Sequence, residues 1–181
     1  MLDVFPYFCC KLQFKAMKNI QRISVCLLLA GVMSLTNCSQ KVKWPALPVE
    51  DIAAYYSDAA KTKTIDTAYY EILNATGEKI GTVLFSSPFS DDVKGFNGPT
   101  PLMIAMDAEG RIKDVVLLEN QETPRFAQRV VEGGLYDAWD GLTYTEALDK
   151  EVDAISGATY TSTGVKESLI ARLKAYEKQM K

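Results

Sequence analysis

Short runs of apolar residues, separated by turn residues, dominate the middle of the chain and predict β-strands. Asn74 to Gly77 is a turn signal between two of these runs, and Asp107 to Gly110 is a second one. Each turn therefore joins two neighbouring strands into a hairpin. The predicted strands cover residues 69–73, 79–85, 102–106 and 112–119.

Helical periodicity replaces this pattern on either side of the hairpins. From Val165 to Tyr176 apolar residues recur on one helical face, with Ser162 or Thr163 placed to cap the N-terminus. Further helices are predicted from Pro48 through Ile52, Ala53, Tyr56 and Ala60, and over residues 128–135. This order predicts an α+β fold, with an antiparallel β-sheet of hairpins flanked by helices and a C-terminal helix.

Small and hydroxylated residues are concentrated directly before the C-terminal helix, in Asp153-Ala154-Ile155-Ser156-Gly157-Ala158-Thr159. Gly157 permits positive φ and has no Cβ to keep a ligand away, and its two neighbours are nearly as small. A small-residue loop followed by a helix N-terminus suits a phosphate group. Taken alone, these residues fit either an anion pocket beside several hydroxyls or a Ser/Thr-rich turn that caps a surface helix.

Composition excludes several classes of function. The 181 residues are 48% apolar, enough for one domain with its own core. The chain has no His, so catalytic triads and His-ligated zinc or haem are excluded. The net charge of −3 comes without a basic patch, so nucleic acid is not an expected partner.

The N-terminal residues have the pattern of a targeting segment. Lys18 and Arg22 form a positive region after Met17, and the apolar stretch that follows is too short to span a membrane with confidence. That stretch ends in Leu35-Thr36-Asn37-Cys38, which looks like a lipoprotein signal-peptidase site with Cys38 as the lipid-bearing residue. An uncleaved anchor helix is the alternative.

We therefore expect residues 17–38 to be a lipoprotein signal peptide and residues 1–16 to precede the true start. Residues 39–47 would form a linker, and residues 48–181 the domain. All the Cys residues lie in the first 38 positions, so the body has neither disulfides nor an iron–sulfur cluster. The expected location is outside the cytoplasm, in the periplasm of a bacterial cell envelope, tethered to a membrane.

Three segments resemble the FMN-binding domain family. Residues 153–159 match its flavinylation motif, which is Asp, two variable positions, Ser or Thr, Gly, Ala and Thr. Gly95-Phe96-Asn97-Gly98-Pro99 resembles the family's Gly-aromatic-x-Gly-Pro loop, and Glu122-Thr123-Pro124 resembles its Glu-Thr-Pro-Gly element. Arg125 and Ala127 depart from the family, where glycines are common at these positions.

The resemblance implies a function and a set of site residues. In that family the closing Thr carries FMN through a phosphoester bond made by a separate flavin transferase, which makes Thr159 the acceptor here. The other implied cofactor-binding residues are Asp153, Ser156, Gly157, Ala158, Thr161, Glu122, Thr123 and Gly98. Asp153 is implied either to orient the transferase or to cap the turn. No catalytic residue and no metal site are expected.

Residues 69–176 as a whole look like the flavin subunits of sodium-translocating NADH:quinone reductase and its ferredoxin-oxidising relatives. The leading hypothesis is an exported, membrane-tethered electron-transfer flavoprotein that works with redox partner proteins or a membrane oxidoreductase complex. An electron carrier is favoured over a stand-alone enzyme. The alternatives are a small FMN-dependent reductase with its own substrate, and a non-redox lipoprotein in which the motif is only structural.

Overall fold

A computed structural model describes residues 46–181 of the protein. In this part of the chain five strands form one antiparallel sheet in sequential order, each strand pairing with the next. The predicted α+β fold with a sheet of hairpins is confirmed. The strands are β1 (Lys61–Asp66), β2 (Tyr69–Leu73), β3 (Lys79–Phe85), β4 (Leu102–Asp107) and β5 (Ile112–Leu117).

The α-helices of the described chain follow the sheet. They are α1 (Pro124–Glu132), α2 (Tyr144–Asp149) and α3 (Thr159–Gln179). Short 3-10 helices occupy Val49–Ile52 and Tyr136–Trp139. Trp139 is only 1% exposed and packs in the core, so a core role accounts for this residue.

Each face of the sheet carries its own apolar core. Leu102, Ile104 and Met106 of β4 pack with α3, whereas Met103 and Ala105 belong to a second cluster. This division follows from the two-residue period of a strand, which sends successive side chains to opposite faces. The second cluster also contains Leu47, Ile52 and Tyr56 from the segment before β1. Both faces of β4 are therefore buried, and α3 covers one of them.

The helix predicted from Pro48 to Ala60 is wrong. Only a 3-10 turn forms there. Two of the apolar positions of the predicted helix, Ala53 and Ala60, are exposed. The Tyr56 hydroxyl donates to the carbonyl oxygens of Thr82 and Met106, at 2.9 and 2.7 Å. The segment therefore runs as a strap across the sheet, because its apolar residues are held by strands rather than by a helical face.

Two other predicted boundaries also differ from the structure. The helix expected at 128–135 begins at Pro124, which fits the first helical position because its missing N–H would have no partner there. The C-terminal helix begins at Thr159 after Ala158, so neither Ser162 nor Thr163 is its cap. Strand β1 was not predicted, because its sequence KTKTID is polar and exposed at the sheet edge.

The predicted signal peptide, the lipid-bearing Cys38 and residues 39–45 of the predicted linker lie outside the described residues. Leu47, at the end of that linker, is buried in the second cluster. Between residues 46 and 181, no helix has both the length and the apolar character that crossing a bilayer requires.

Candidate functional site

The loop before α3 brings the motif to the helix N-terminus. Gly157 has φ +79°, a conformation that favours glycine, and it turns the chain so that Thr159 is the first helical residue. The N–H of Ser162 donates to the carbonyl of Ala158 at 2.9 Å, the first hydrogen bond of the helix. The N–H groups of residues 159–161 therefore precede the helical ladder and face outward at its positive end.

The hydroxyl groups of the motif and of the first turn of α3 fall into two sets. Thr159 and Ser156 are exposed, and neither side chain makes a hydrogen bond to the described residues. Thr161 and Ser162 are 1% and 0% exposed. The Ser162 hydroxyl accepts from the N–H of Ile155 at 3.1 Å and donates to the carbonyl of Ala158 at 2.9 Å. The Thr159 hydroxyl is thus exposed and, among the described residues, without a partner at this corner.

A buried carboxylate joins α3 to the loop before β4. Glu122 accepts the N–H groups of Phe96, Asn97 and Gly98 at 3.1, 2.7 and 3.2 Å. The hydroxyl of Thr161 also donates to it. Burial alone would raise the pKa of Glu122, but these donors favour the ionised form and the pKa is lowered instead. The side chain therefore holds the loop as a charged acceptor.

Small residues let the same loop approach α3 closely. Thr161, Gly164 and Ser168 form a stripe along the helix, which we call the packing stripe. A Cβ on Gly164 would lie 2.7 Å from the backbone nitrogen of Gly95, so no side chain fits there. The Ser168 hydroxyl lies 3.1 Å from that of Thr100 in a buried hydrogen bond. The packing stripe thus fixes where the loop passes over the helix.

Three aromatic rings surround the exposed end of α3. The ring centroids of Phe96 and Phe126 are 5.0 Å apart in an edge-to-face arrangement, and those of Phe96 and Tyr160 are 6.3 Å apart. Phe96 and Tyr160 are 54% and 71% exposed, which is unusual for large apolar side chains. With residues 157–161 they line a cavity of about 190 Å³. We call this region the exposed corner.

The remaining predicted site residues lie around this corner in different roles. Gly98 is buried and gives its N–H to Glu122. Thr123 stands at the N-cap position of α1, but its side chain does not cap the helix. Asp153 is exposed and makes no hydrogen bond within the described chain, so it does not cap the turn. Thr161 lines the cavity, but its hydroxyl donates to Glu122.

The aromatic side chains of the corner were not among the predicted site residues. Phe96 lies inside the recognised Gly-aromatic-x-Gly-Pro loop, and Tyr160 directly follows the motif, so both had a sequence signal. Phe126 had none, since it reads as an ordinary apolar residue of α1. Gly164 was also missed, because its role depends on a loop about 70 residues earlier.

A larger open cavity of about 560 Å³ lies elsewhere, at the C-terminal part of α3. Its lining includes Phe89, Lys174 and Gln179 and none of the predicted site residues. The chemistry-bearing residues therefore gather at the smaller cavity.

The chain is similar to a protein family, to two relatives and to a solved structure. Residues 95–174 match the FMN-binding domain family, which confirms the recognition made from the motifs. The chain is 30% identical over 107 residues to a subunit of the ion-translocating oxidoreductase complex of Stutzerimonas stutzeri, a match covering 53% of this chain and 47% of that protein. It is 23% identical over 142 residues to a subunit of the Na(+)-translocating ferredoxin:NAD(+) oxidoreductase complex of Acetobacterium woodii, covering 73% and 66%.

The chain thus spans between about half and two thirds of the length of these relatives. Among solved structures, the crystal structure of Shewanella oneidensis NqrC matches with a TM-score of 0.41 and 18% sequence identity. That match covers 69% of this chain and 72% of the other.

Proposed function

We propose that this protein is an electron-transfer flavoprotein that carries FMN in a phosphoester bond to Thr159, and the match of residues 95–174 to the FMN-binding domain family supports this. We further propose that it is exported, and that lipid on Cys38 tethers it to the membrane. FMN supplies the redox chemistry, because its ring exchanges electrons one or two at a time, and the protein supplies attachment and orientation.

The observation that carries the attachment site is the division of hydroxyl groups at the start of α3. Thr161 and Ser162 are buried, and their hydroxyls are held by Glu122 and by the backbone of residues 155 and 158. Thr159 is exposed and unbonded, so an external enzyme can reach its oxygen. Only minor rearrangement is then needed to modify Thr159, whereas modification of Thr161 would break the Glu122 contact.

The surroundings of Thr159 also suit a flavin phosphate and ring. The free N–H groups of the first turn of α3 lie beside Thr159 and favour an anion. Phe96, Phe126 and Tyr160 offer apolar faces against which an aromatic ring system can pack. The residues present therefore fit FMN attached at this corner.

The attachment reaction requires a flavin transferase with FAD as the donor. The Thr159 Oγ1 forms the new bond to the phosphorus of the FMN half, while the bond from that phosphorus to AMP breaks. The hydroxyl proton is released and AMP is the leaving group. The chain contributes the acceptor, and the exposed carboxylate of Asp153 is available for contact with the transferase.

The two relatives support a partner assignment, because both are subunits of larger assemblies. One belongs to an ion-translocating oxidoreductase complex, and the other to a Na(+)-translocating ferredoxin:NAD(+) oxidoreductase complex. We infer that this chain likewise passes electrons within, or to, a membrane oxidoreductase complex. The aromatic residues of the exposed corner, Phe96, Phe126 and Tyr160, would then face the redox partner.

Intact-mass measurement of the protein after co-expression with a flavin transferase tests the proposal. We expect a gain equal to FMN less one water, mapped by peptide fragmentation to Thr159, and a lipidated N-terminus at Cys38. A gain mapped to another hydroxyl would overturn the assignment of Thr159. An unmodified, colourless protein would overturn the flavoprotein proposal, and an N-terminus without lipid would overturn the anchor.

A further inference from the structure

A basic residue of α1, Arg129, lies against the motif loop. A Cβ built on Gly157 would lie 3.1 Å from both Cζ and Nε of Arg129 and 3.4 Å from its Nη1. The planar guanidinium therefore covers the glycine that leads into Thr159. No element of the sequence signalled this contact, because Arg129 lies on α1, 28 positions before Gly157 in the loop that precedes α3.

The position of Arg129 is fixed by packing around it. Its neighbour Val130 is fully buried. A Cβ on Gly133, just after α1, would lie 2.7 to 2.9 Å from the side chain of Ile155, so the helix end and the motif loop touch directly. The close approach of Gly133 to Ile155 and the burial of Val130 place the end of α1, and with it the backbone of Arg129, beside the motif loop.

The charge of Arg129 is not used by the fold. Arg129 is exposed, and its side chain makes no hydrogen bond or ion pair within residues 46–181. By contrast, Arg111 bonds the carbonyl of Gly141 and lies 3.8 Å from Glu146, and Arg172 bonds the carbonyl of Ala68. A guanidinium without a partner in this part of the chain, beside a proposed phosphate site, is well placed to receive an anion.

We propose that Arg129 is a positioning residue for the phosphate of FMN attached to Thr159. This inference rests on the proposed function. A phosphodiester keeps one negative charge, and the fork of N–H donors in a guanidinium matches phosphate oxygens. Arg129 would fix the orientation of the phosphate, and through it the direction in which the ring leaves the protein.

The chain offers a matched control in Arg125, which lies one helical turn before Arg129. Arg125 is exposed, and it is not among the atoms nearest to Gly157. Arg125→Gln therefore removes the same charge from the same helix without removing the contact with the motif loop. Arg129→Lys keeps the charge but loses the fork.

The test is the ³¹P resonance of the flavin phosphodiester in the loaded protein. We expect Arg129→Gln to shift it toward its position in the urea-unfolded protein, Arg129→Lys to shift it part of the way, and Arg125→Gln to leave it unchanged. Thermal unfolding of the unloaded variants should match that of the wild type, because the Arg129 side chain makes no hydrogen bond or ion pair in the described part of the chain.

Loading itself provides the second readout, with transferase kept limiting. We expect Arg129→Gln to load about tenfold more slowly than Arg125→Gln, in line with the loss of a charge-assisted hydrogen bond. Equal resonances and equal loading for the two Gln variants would overturn the role of Arg129. A wild-type protein that never loads at Thr159 would instead overturn the proposed function.

Discussion

At the start of α3, hydroxylated residues lie on two sides of the helix, where one side is buried in packing and the other is exposed. On the packing stripe, Thr161, Gly164 and Ser168 bring α3 against Glu122 and the loop of residues 95–100. On the exposed corner, Thr159 and Tyr160 face outward. A hydroxyl two positions further along a helix points to a different side. Burial therefore separates Thr159, the proposed acceptor, from Thr161, which bonds within the fold.

The largest expected effects come from replacing Thr159 and Thr161, one at a time, with valine. We expect Thr159→Val to abolish covalent flavin while changing the free energy of unfolding by no more than about 0.5 kcal/mol, since Thr159 is exposed and unbonded. Thr161→Val should keep flavin on Thr159 but cost about 1–3 kcal/mol, because Glu122 loses a buried donor. Intact mass and urea unfolding measure the two effects.

Each valine variant serves as the control for the other. A fully loaded Thr159→Val protein would contradict the assignment of the acceptor. A Thr161→Val protein as stable as the wild type would show that the Glu122 contact does not hold the corner together.

Removing the charge of Glu122 tests whether the loop of residues 96–98 requires an ionised side chain. Glu122→Gln should cost about 2–3 kcal/mol near pH 7, because an amide cannot accept all four donors. The lowered pKa of Glu122 means that its stabilisation is present above its ordinary value of 4.5 and is lost as the pH falls through the lowered value. The measurement is urea unfolding of both proteins between pH 3 and pH 7.

The difference between the two proteins should therefore narrow below about pH 4.5. Other carboxylates titrate in both proteins, so their effects cancel in this difference. A gap of constant size across the whole range would show that the charge of Glu122 is not what the loop requires.

A smaller effect is expected from adding one methyl group to the packing stripe. In Gly164→Ala the new Cβ would meet the backbone of Gly95 at 2.7–2.8 Å, so loop or helix must shift. Overpacking of this kind costs about 1–3 kcal/mol, partly offset by the better helix propensity of Ala. The midpoint of thermal unfolding measures it.

Gly98→Ala is the control for that substitution. Its Cβ would be 3.5 Å from the nearest side-chain atom, an ordinary contact, and we expect a change within about 0.5 kcal/mol. If both alanine variants unfolded at the wild-type temperature, the close approach at Gly164 would not constrain the loop.

Local pattern predicted much of this architecture. Both hairpins carried turn signals, and Gly77 and Gly110 have the positive φ that such turns use, 85° and 81°. The need of Gly157 for positive φ was also readable from the motif. These features depend on residues that are close in sequence, so the sequence alone was enough to predict them.

The errors arose where long-range packing decided the outcome. The apolar residues Ile52 and Tyr56 suggested a helix, but their partners are strands. The sequence did not predict that the Thr161 hydroxyl would donate to Glu122, the side chain that also holds the loop of residues 96–98. Phe126 and Arg129 gain their places only when α1 packs on the motif loop, and that contact leaves no periodic pattern in the sequence.

The link through Glu122 has a consequence for how the corner opens. The amide hydrogens of Phe96, Asn97 and Gly98 lie on a carboxylate inside the protein, although two of these residues are exposed. They should exchange with solvent only when that carboxylate is released, which also frees Thr161. The loop and the first turn of α3 would therefore unfold locally as one cooperative segment, with a shared rate of hydrogen exchange.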